Sequence, residues 1–261
     1  QTTIQLERQG AVALVQLAGE RLHLLSMARL QALDEVLMEP MTDQSVRAVV
    51  LHGAGGLFSA GADLKAMARF DAQAATAFIG ALHGTCQHIL LAPKPIIAAI
   101  AGPCLGGALE MALCCDGRLA SLEARLGMPE VAVGIPSVIE AMLLPQVVGL
   151  GRARRLLLTA QIIGAPEALA MGLVDMVVPQ EKLLDAAMQE AAHLAALPPG
   201  ALAAQKALIA HWVLREEAIA HSMQLFAKTF AHGAQSEARQ AIAAFLNRNK
   251  QAAVQAPSSQ D

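Results

Sequence analysis

Residues 94–116 read KPIIAAIAGPCLGGALEMALCCD. The first nine form a short apolar run closed by Gly102 and Pro103, the pattern of a buried strand. The last ten are apolar again, carry one glutamate, Glu110, and read as a helix. Between the two stand adjacent glycines, Gly106 and Gly107. Glycine weakens a helix interior, and a carboxylate is poorly suited to a core. Both fit one place, the N-terminus of a helix opening directly behind a strand. There glycine lets a ligand approach the backbone, N–H groups are free, and the helix dipole favours negative charge. On these grounds Glu110 is either a capping carboxylate or a functional one.

Outward from this stretch the same texture recurs. Short apolar runs bounded by Gly or Pro lie at AVALVQL (11–17), RAVVLHG (47–53) and GLVDMVV (172–178). Helical stretches alternate with them: SMARLQALDEVLM (26–38), with Ser26 as N-cap, and DAQAATAFIGALHGTCQHILLA (71–92), opened by Asp71. Fully apolar strands alternating with helices predict an α/β fold with mostly parallel pairing. After about residue 180 the chain turns wholly helical: EKLLDAAMQEAAHLAAL, ALAAQKALIAHWVL, EEAIAHSMQLFAKTF and SEARQAIAAFLN. Pro198-Pro199-Gly200 separates the first two. The chain therefore divides into an α/β core over 1–195 and a helical C-terminal region over 196–261. Its tail, QAAVQAPSSQD, is expected to fray. No internal repeat stands out.

Composition narrows the function classes. Hydrophobic residues make up 55% of the 261 positions, enough for a large core. The net charge is −3, no basic patch is visible and aromatics are 3%, so nucleic acid is not an expected partner. No apolar run reaches the roughly 18 residues of a membrane span. The four cysteines, at 86, 104, 114 and 115, form no CxxC pair and suit a reducing cytosol. With no leader pattern visible, a cytoplasmic protein is expected. The histidines (23, 52, 83, 88, 193, 211, 221, 232) make no metal pattern and read as structural or surface residues. No metal or redox cofactor is implied.

Two further pieces carry chemistry. GAGGLFSAGADLK (53–65) follows a strand, lacks GxxxxGK[ST] and lacks a GxGxxG that opens a helix. What remains is a flexible turn and a helix start near Asp63, with backbone N–H groups free for an anion or a polarised oxygen. LGMPEVAVGIP (126–136) sets Glu130 between Pro129 and an apolar run, where it is either solvent-facing or functional.

Together FSAGADLK (58–65), AGPCLGGALEMALCCD (101–116) and LGMPEVAVGIP (126–136), in this order and spacing, resemble the crotonase superfamily of enoyl-CoA hydratases and isomerases. KPIIAAIAG upstream and GAPEALAMGLVDMVVP (164–179) downstream extend the resemblance over nearly the whole chain. It implies a crotonase-like spiral of ββα units with a C-terminal helical region. It also implies an oxyanion hole for a CoA thioester, made by the N–H groups of Ala62 and Gly107, with Gly106 keeping the approach open. Glu110 and Glu130 match the two hydratase glutamates, with Glu130 next to Cα and Glu110 holding and activating water. Ala62, Asp63, Leu64 and Lys65 match the segment lining the CoA nucleotide and pantetheine, Lys65 being a phosphate partner or a solvated lysine. Lys206 resembles a C-terminal helix lysine of the family. CoA belongs to the substrate, so no separate cofactor is called for.

The sequence departs from the family in two places. GIPSVIEAMLLP (134–145) replaces a glycine-rich run, so Val138, Ile139 and Glu140 become candidates for the acyl pocket. Glu140 could be a third functional carboxylate or a helix-surface glutamate. RLHLLSM (21–27) stands where the family has an Asn-Ala-Leu segment. Isomerases of the family generally use one of the two glutamates, so the presence of both favours a hydratase of a small or branched 2-enoyl-CoA. The alternatives are an isomerase or another crotonase-type reaction, or, in a different class, an acyl-CoA-binding subunit with little turnover. Ile219, Met223, Phe226 and Phe230 fall at helical spacing and make one apolar face. With the resemblance, that face implies a homotrimer or hexamer.

Overall fold

The computed structural model describes residues 3–213, 216–231 and 235–255. The chain opens with a hairpin of β1 (Thr3–Gln9) and β2 (Val12–Ala18), paired antiparallel from Thr3↔Ala18 to Gln9↔Val12. β1 has no apolar run to announce it. Its residues TIQLERQ are half-buried at best, as befits a sheet edge. Ser26 caps α1 (Met27–Thr42), its hydroxyl accepting from the Arg29 N–H. Then come β3 (Ala48–Gly53), α2 (Leu64–Met67), α3 (Ala72–Leu90), capped by Asp71, β4 (Ile96–Ile100), β5 (Pro103–Leu105) and α4 (Gly107–Cys114). β6 (Gly117–Ser121) and β7 (Arg125–Gly127) lead into 3-10 turns at Glu130–Val133 and Ile139–Leu143. The rest is α5 (Leu144–Val148), α6 (Leu150–Thr159), β8 (Ile162–Gly164), α7 (Ala165–Ala170), β9 (Met176–Val178), α8 (Leu183–Ala195), α9 (Pro199–Val213), α10 (Glu216–Thr229) and α11 (Glu237–Gln255).

Two sheets result. The larger runs β1-β2-β3-β4-β6-β9, parallel from β2 onward, and the smaller runs β5-β7-β8. Each turn of the chain gives one strand to the large sheet, a short strand to the small one, and then a helix. β4–β5–α4 is the plainest unit. In the turn before it, β3 is followed by Ser59, bridged to Cys104, and then by α2 and α3. One turn earlier, β2 is followed by Leu25, bridged to Ala62, and then by α1. This is the expected spiral of ββα units. Its repeat is invisible in sequence because the second strand of the early turns is a single bridge.

The large sheet is buried on both faces, which explains its unbroken apolar strands. Alternate residues Val12, Ala48, Val50, Ile97, Ala99 and Leu119 face Leu183, Ala187, Ala191 and Ala195 of α8. The intervening residues, among them Val15, Val49, Leu51, Ile96 and Ala98, join the main core with α1, α3 and α4.

Several expectations are corrected here. GLVDMVV is a strand only over Met176–Val178, because Gly172 turns the chain at φ +79°. The α4 helix ends at Cys114. Cys115 is extended, and Asp116 instead accepts from the Ile96 N–H and pairs with Lys206. The apolar face of α10 is covered within the chain. Ile219, Phe226 and Phe230 are buried, Met223 packs on the same core, and Phe230 and Phe78 each lie against Phe70 at centroid distances of 6.0 and 5.7 Å. That stripe therefore gives no ground for assembly. α11 continues through Gln255, so the tail is helical up to there, while residues 256–261 and His232 lie outside the described residues. Among the described residues no helix is long and apolar enough to cross a membrane, and no cluster of His, Cys, Asp or Glu is arranged for a metal ion.

Candidate active site

The two glycine loops meet. Ala60 N–H donates to Leu22 O, Leu25 N–H to Gly61 O and Asp63 N–H to Leu25 O. The Ser59 hydroxyl donates to His23 O at 2.8 Å and accepts from the Gly61 N–H at 3.2 Å. The segment RLHLLSM is thus the support that holds Gly61–Ala62. His23 is buried at φ +46°, its Nδ1–H shared between Leu57 O and Phe58 O, each at 3.1 Å. Gly61, at φ +86°, has its Cα turned against Leu105 O, where a side chain would collide. The backbone before Ala62 therefore packs on the backbone just ahead of Gly106–Gly107. Among the described residues, neither the Ala62 nor the Gly107 N–H donates to a protein acceptor. For Gly107 this follows from its place as the first residue of α4.

Two carboxylates flank that helix start. Glu110 sits in the first turn of a helix whose every residue is buried, and is itself 3% exposed. Its Oε1 accepts the Ala141 N–H at 3.0 Å. Burial pushes the Glu110 carboxyl well above the usual range, and the charges of Glu130 and Glu140 add to this against the one amide bond. Glu130 reaches the same place from the turn after β7. Its Oε1 lies 2.5 Å from where a Cβ on Gly106 would stand, and Ser137 Oγ–H donates to its Oε2 at 2.8 Å. Burial raises Glu130 too, opposed by its own N–H and by Ser137.

Glu140 is neither on a helix surface nor open to a ligand. It is 0% exposed, and its Oε1 accepts from His83 Nδ1 at 2.7 Å and Gln87 Nε2 at 2.8 Å. Its Oε2 is buried with no partner among the described residues. Val138 and Ile139 are buried beside it. The sequence signal for this cluster was His83 and Gln87, four apart on one face of α3. Spacing from His83 to His88 concealed it.

Residues 7–253 match the family model described as Enoyl-CoA hydratase/isomerase. The chain belongs to that family. It is 35% identical to a short-chain-enoyl-CoA hydratase of Clostridium acetobutylicum over 94% of this chain and 95% of the relative. It is 34% identical to a probable enoyl-CoA hydratase of Rhizobium meliloti over 95% and 96%. The crystal structure of an enoyl-CoA hydratase/isomerase from Xanthobacter autotrophicus Py2 superposes with a TM-score of 0.86, at 30% identity, over 96% of this chain and 95% of that one. The chain is an enzyme of the crotonase fold.

Within this family member, two other sequence candidates have structural duties. Asp63 Oδ1 accepts from the Lys65 and Ala66 N–H groups at 2.9 and 3.1 Å, so the start of α2 is capped from within and those two amides are not free for an anion. Leu64 packs partly buried against the core, and Lys65 is exposed. Lys206 is buried in an ion pair with Asp116, whose Oδ2 also takes the Ile96 N–H. It ties α9 to the large sheet.

Gly106 gives a direct test of the geometry. It adopts φ +54°, and a Cβ there would strike the Glu130 carboxylate. Gly106→Ala should destabilise the fold by about 1–3 kcal/mol from backbone strain, since φ +54° with ψ −126° is a glycine conformation. It should also lower turnover by at least about tenfold by displacing Glu130. Thermal melts and steady-state rates with crotonyl-CoA check both. An alanine variant with unchanged turnover would mean that the Glu130 position does not matter.

Proposed function

We propose that this enzyme adds water across the 2,3-double bond of a small or branched 2-enoyl-CoA thioester. The supporting observation is the pair Glu110 and Glu130, both with raised proton affinity, beside the unpartnered N–H groups of Ala62 and Gly107. The thioester oxygen accepts from these two amides and gains charge as water attacks C3. Glu110 takes a proton from the water and Glu130 delivers one to Cα. The pair thus begins and ends with one shared proton, which returns through solvent. A raised carboxyl is the stronger base near neutral pH, which suits water activation. Burial raises both carboxyls, which favours one shared proton on the pair over two charges. With Glu110 as base and Glu130 as acid, that proton is on Glu130 in the reactive complex. Backbone amides do the polarising, and CoA enters as part of the substrate. Hydration of crotonyl-CoA, followed as loss of the conjugated enoyl absorbance, tests the proposal. No loss at micromolar enzyme, with thioester binding intact, would favour a binding subunit instead.

The same proposal includes assembly as a homotrimer or hexamer. Support comes from the α6–α7 surface, where Leu150 and Leu158 are 63% and 70% exposed, with Ile162 and Leu169 also open to solvent. Large apolar side chains exposed together on one stretch of chain are the kind of surface a neighbouring copy would cover. Light scattering at low micromolar concentration should give a multiple of the 27.2 kDa chain mass. Leu158→Lys should shift it toward the monomer. A monomeric parent with full hydratase activity would overturn the assembly.

A further inference from the structure

The turn at Val138–Ala141 is held from two sides and touches the Glu110 carboxylate. On one side α3 grips it, with His83 Nδ1–H and Gln87 Nε2–H both donating to Glu140 Oε1. On the other side the Ile139 N–H donates to Ser222 Oγ of α10 at 3.0 Å, and that hydroxyl donates to Ile219 O at 2.8 Å. Between these anchors Ile139 sits at φ +44°. A β-branched residue avoids that region, so the conformation persists only because its surroundings impose it. The product of this restraint is one backbone amide. Ala141 N–H, which also closes the turn onto Val138 O at 2.9 Å, points its hydrogen at Glu110 Oε1.

We propose that Glu140, clamped by His83 and Gln87, is a positioning residue for Glu110: it fixes the turn whose Ala141 amide orients the Glu110 carboxyl. Glu140 is fully buried, so it acts through Glu110 and not on the substrate. The groups around Glu110 are Glu130 from the turn after β7, Glu140 itself, Cys86 on α3 and Cys114 on its own helix, with His83 of α3 reaching it only through Glu140. Of these, Glu130 and Glu140 raise the Glu110 carboxyl, after burial. Removing the Glu140 charge therefore lowers the pH at which Glu110 ionises. The inference rests on the hydratase reading for its kinetic part only.

His83→Leu removes one clamp. It should lower kcat for crotonyl-CoA by about ten- to a hundredfold, the scale of a misplaced catalytic group. KM should stay within about twofold, because the lost contact is not with substrate. His83→Asn, which offers an amide N–H near the position of Nδ1, should restore most of the rate. Glu140→Gln keeps the shape and loses the charge. The acid limb of its kcat/KM profile, and the carboxyl ¹³C titration of Glu110 in the full chain, should both move to lower pH. Folded His83→Leu and Glu140→Gln proteins with wild-type kcat and an unmoved Glu110 titration would overturn the inference. So would altered acyl preference at unchanged kcat, which would make Glu140 a specificity residue. If Glu140→Gln does not fold, the two His83 variants decide, since that side chain is a quarter exposed. Absence of crotonyl-CoA hydration by the parent enzyme would overturn the hydratase reading alone and leave the titration result standing, whereas full hydration by Glu110→Gln would remove Glu110 as the base and overturn the kinetic part of the inference.

Discussion

Glu110→Gln and Glu130→Gln should each lower crotonyl-CoA hydration by about 10²–10⁴-fold, the usual worth of a positioned acid or base. Glutamine keeps the shape of each side chain. At 110 the amide oxygen can still accept the Ala141 N–H, and at 130 it can still accept the Ser137 hydroxyl. What is lost is the ability to take up and release a proton. Both carboxyls are raised by burial, so neither substitution removes a comfortably solvated charge, and the folded state should tolerate both. Binding of a saturated acyl-CoA, measured by calorimetry, should therefore change little while kcat falls. Near wild-type turnover in either variant would remove that residue from the proton-transfer pair. Loss of binding in parallel with loss of rate would point to a contact with the thioester instead.

Gly107→Pro should lower the rate by about 10²–10³-fold through the missing N–H, the typical loss for one oxyanion donor. Proline is well tolerated at the first position of a helix, so α4 can still form. The added atoms are a separate problem. A Cβ at 107 would stand 2.7 Å from Leu82 Cδ2 and 3.4 Å from Leu25 Cδ1, both in the core. Gly107→Ala brings the same Cβ and keeps the N–H, so it isolates the steric part. The expected result is a modest loss for alanine and a further loss of two to three orders of magnitude for proline. Equal turnover in the two folded variants would show that the Gly107 amide does not meet a developing charge.

The α/β class, the cap residues Ser26, Asp63 and Asp71, and the glycine-led start of α4 were legible in the sequence because each is a local matter. A cap bonds within three residues, and an apolar strand buried on both faces shows itself without reference to its partners. The family could be read for the same reason, since its motifs are short runs around Gly61, Gly107 and Glu130. β1 and the single-bridge strands at Leu25 and Ser59 were not legible. β1 shows only a brief alternation, Ile4 and Leu6 turned inward between exposed Thr3, Gln5 and Glu7, and the single bridges at Leu25 and Ser59 depend on partners far along the chain. Glu140 shows the limit most plainly. Its sequence neighbours leave it an acyl-pocket residue, a third functional carboxylate or a surface glutamate, yet His83 and Gln87, more than 50 residues away, meet it in a sealed site. Likewise the apolar stripe of α10 was visible, but only packing against α3 decided that this chain covers it itself. Hydrophobicity along a helix says that a face must be buried. It carries no information about what buries it, because the burial free energy is non-directional and the same stripe suits a neighbour from any chain.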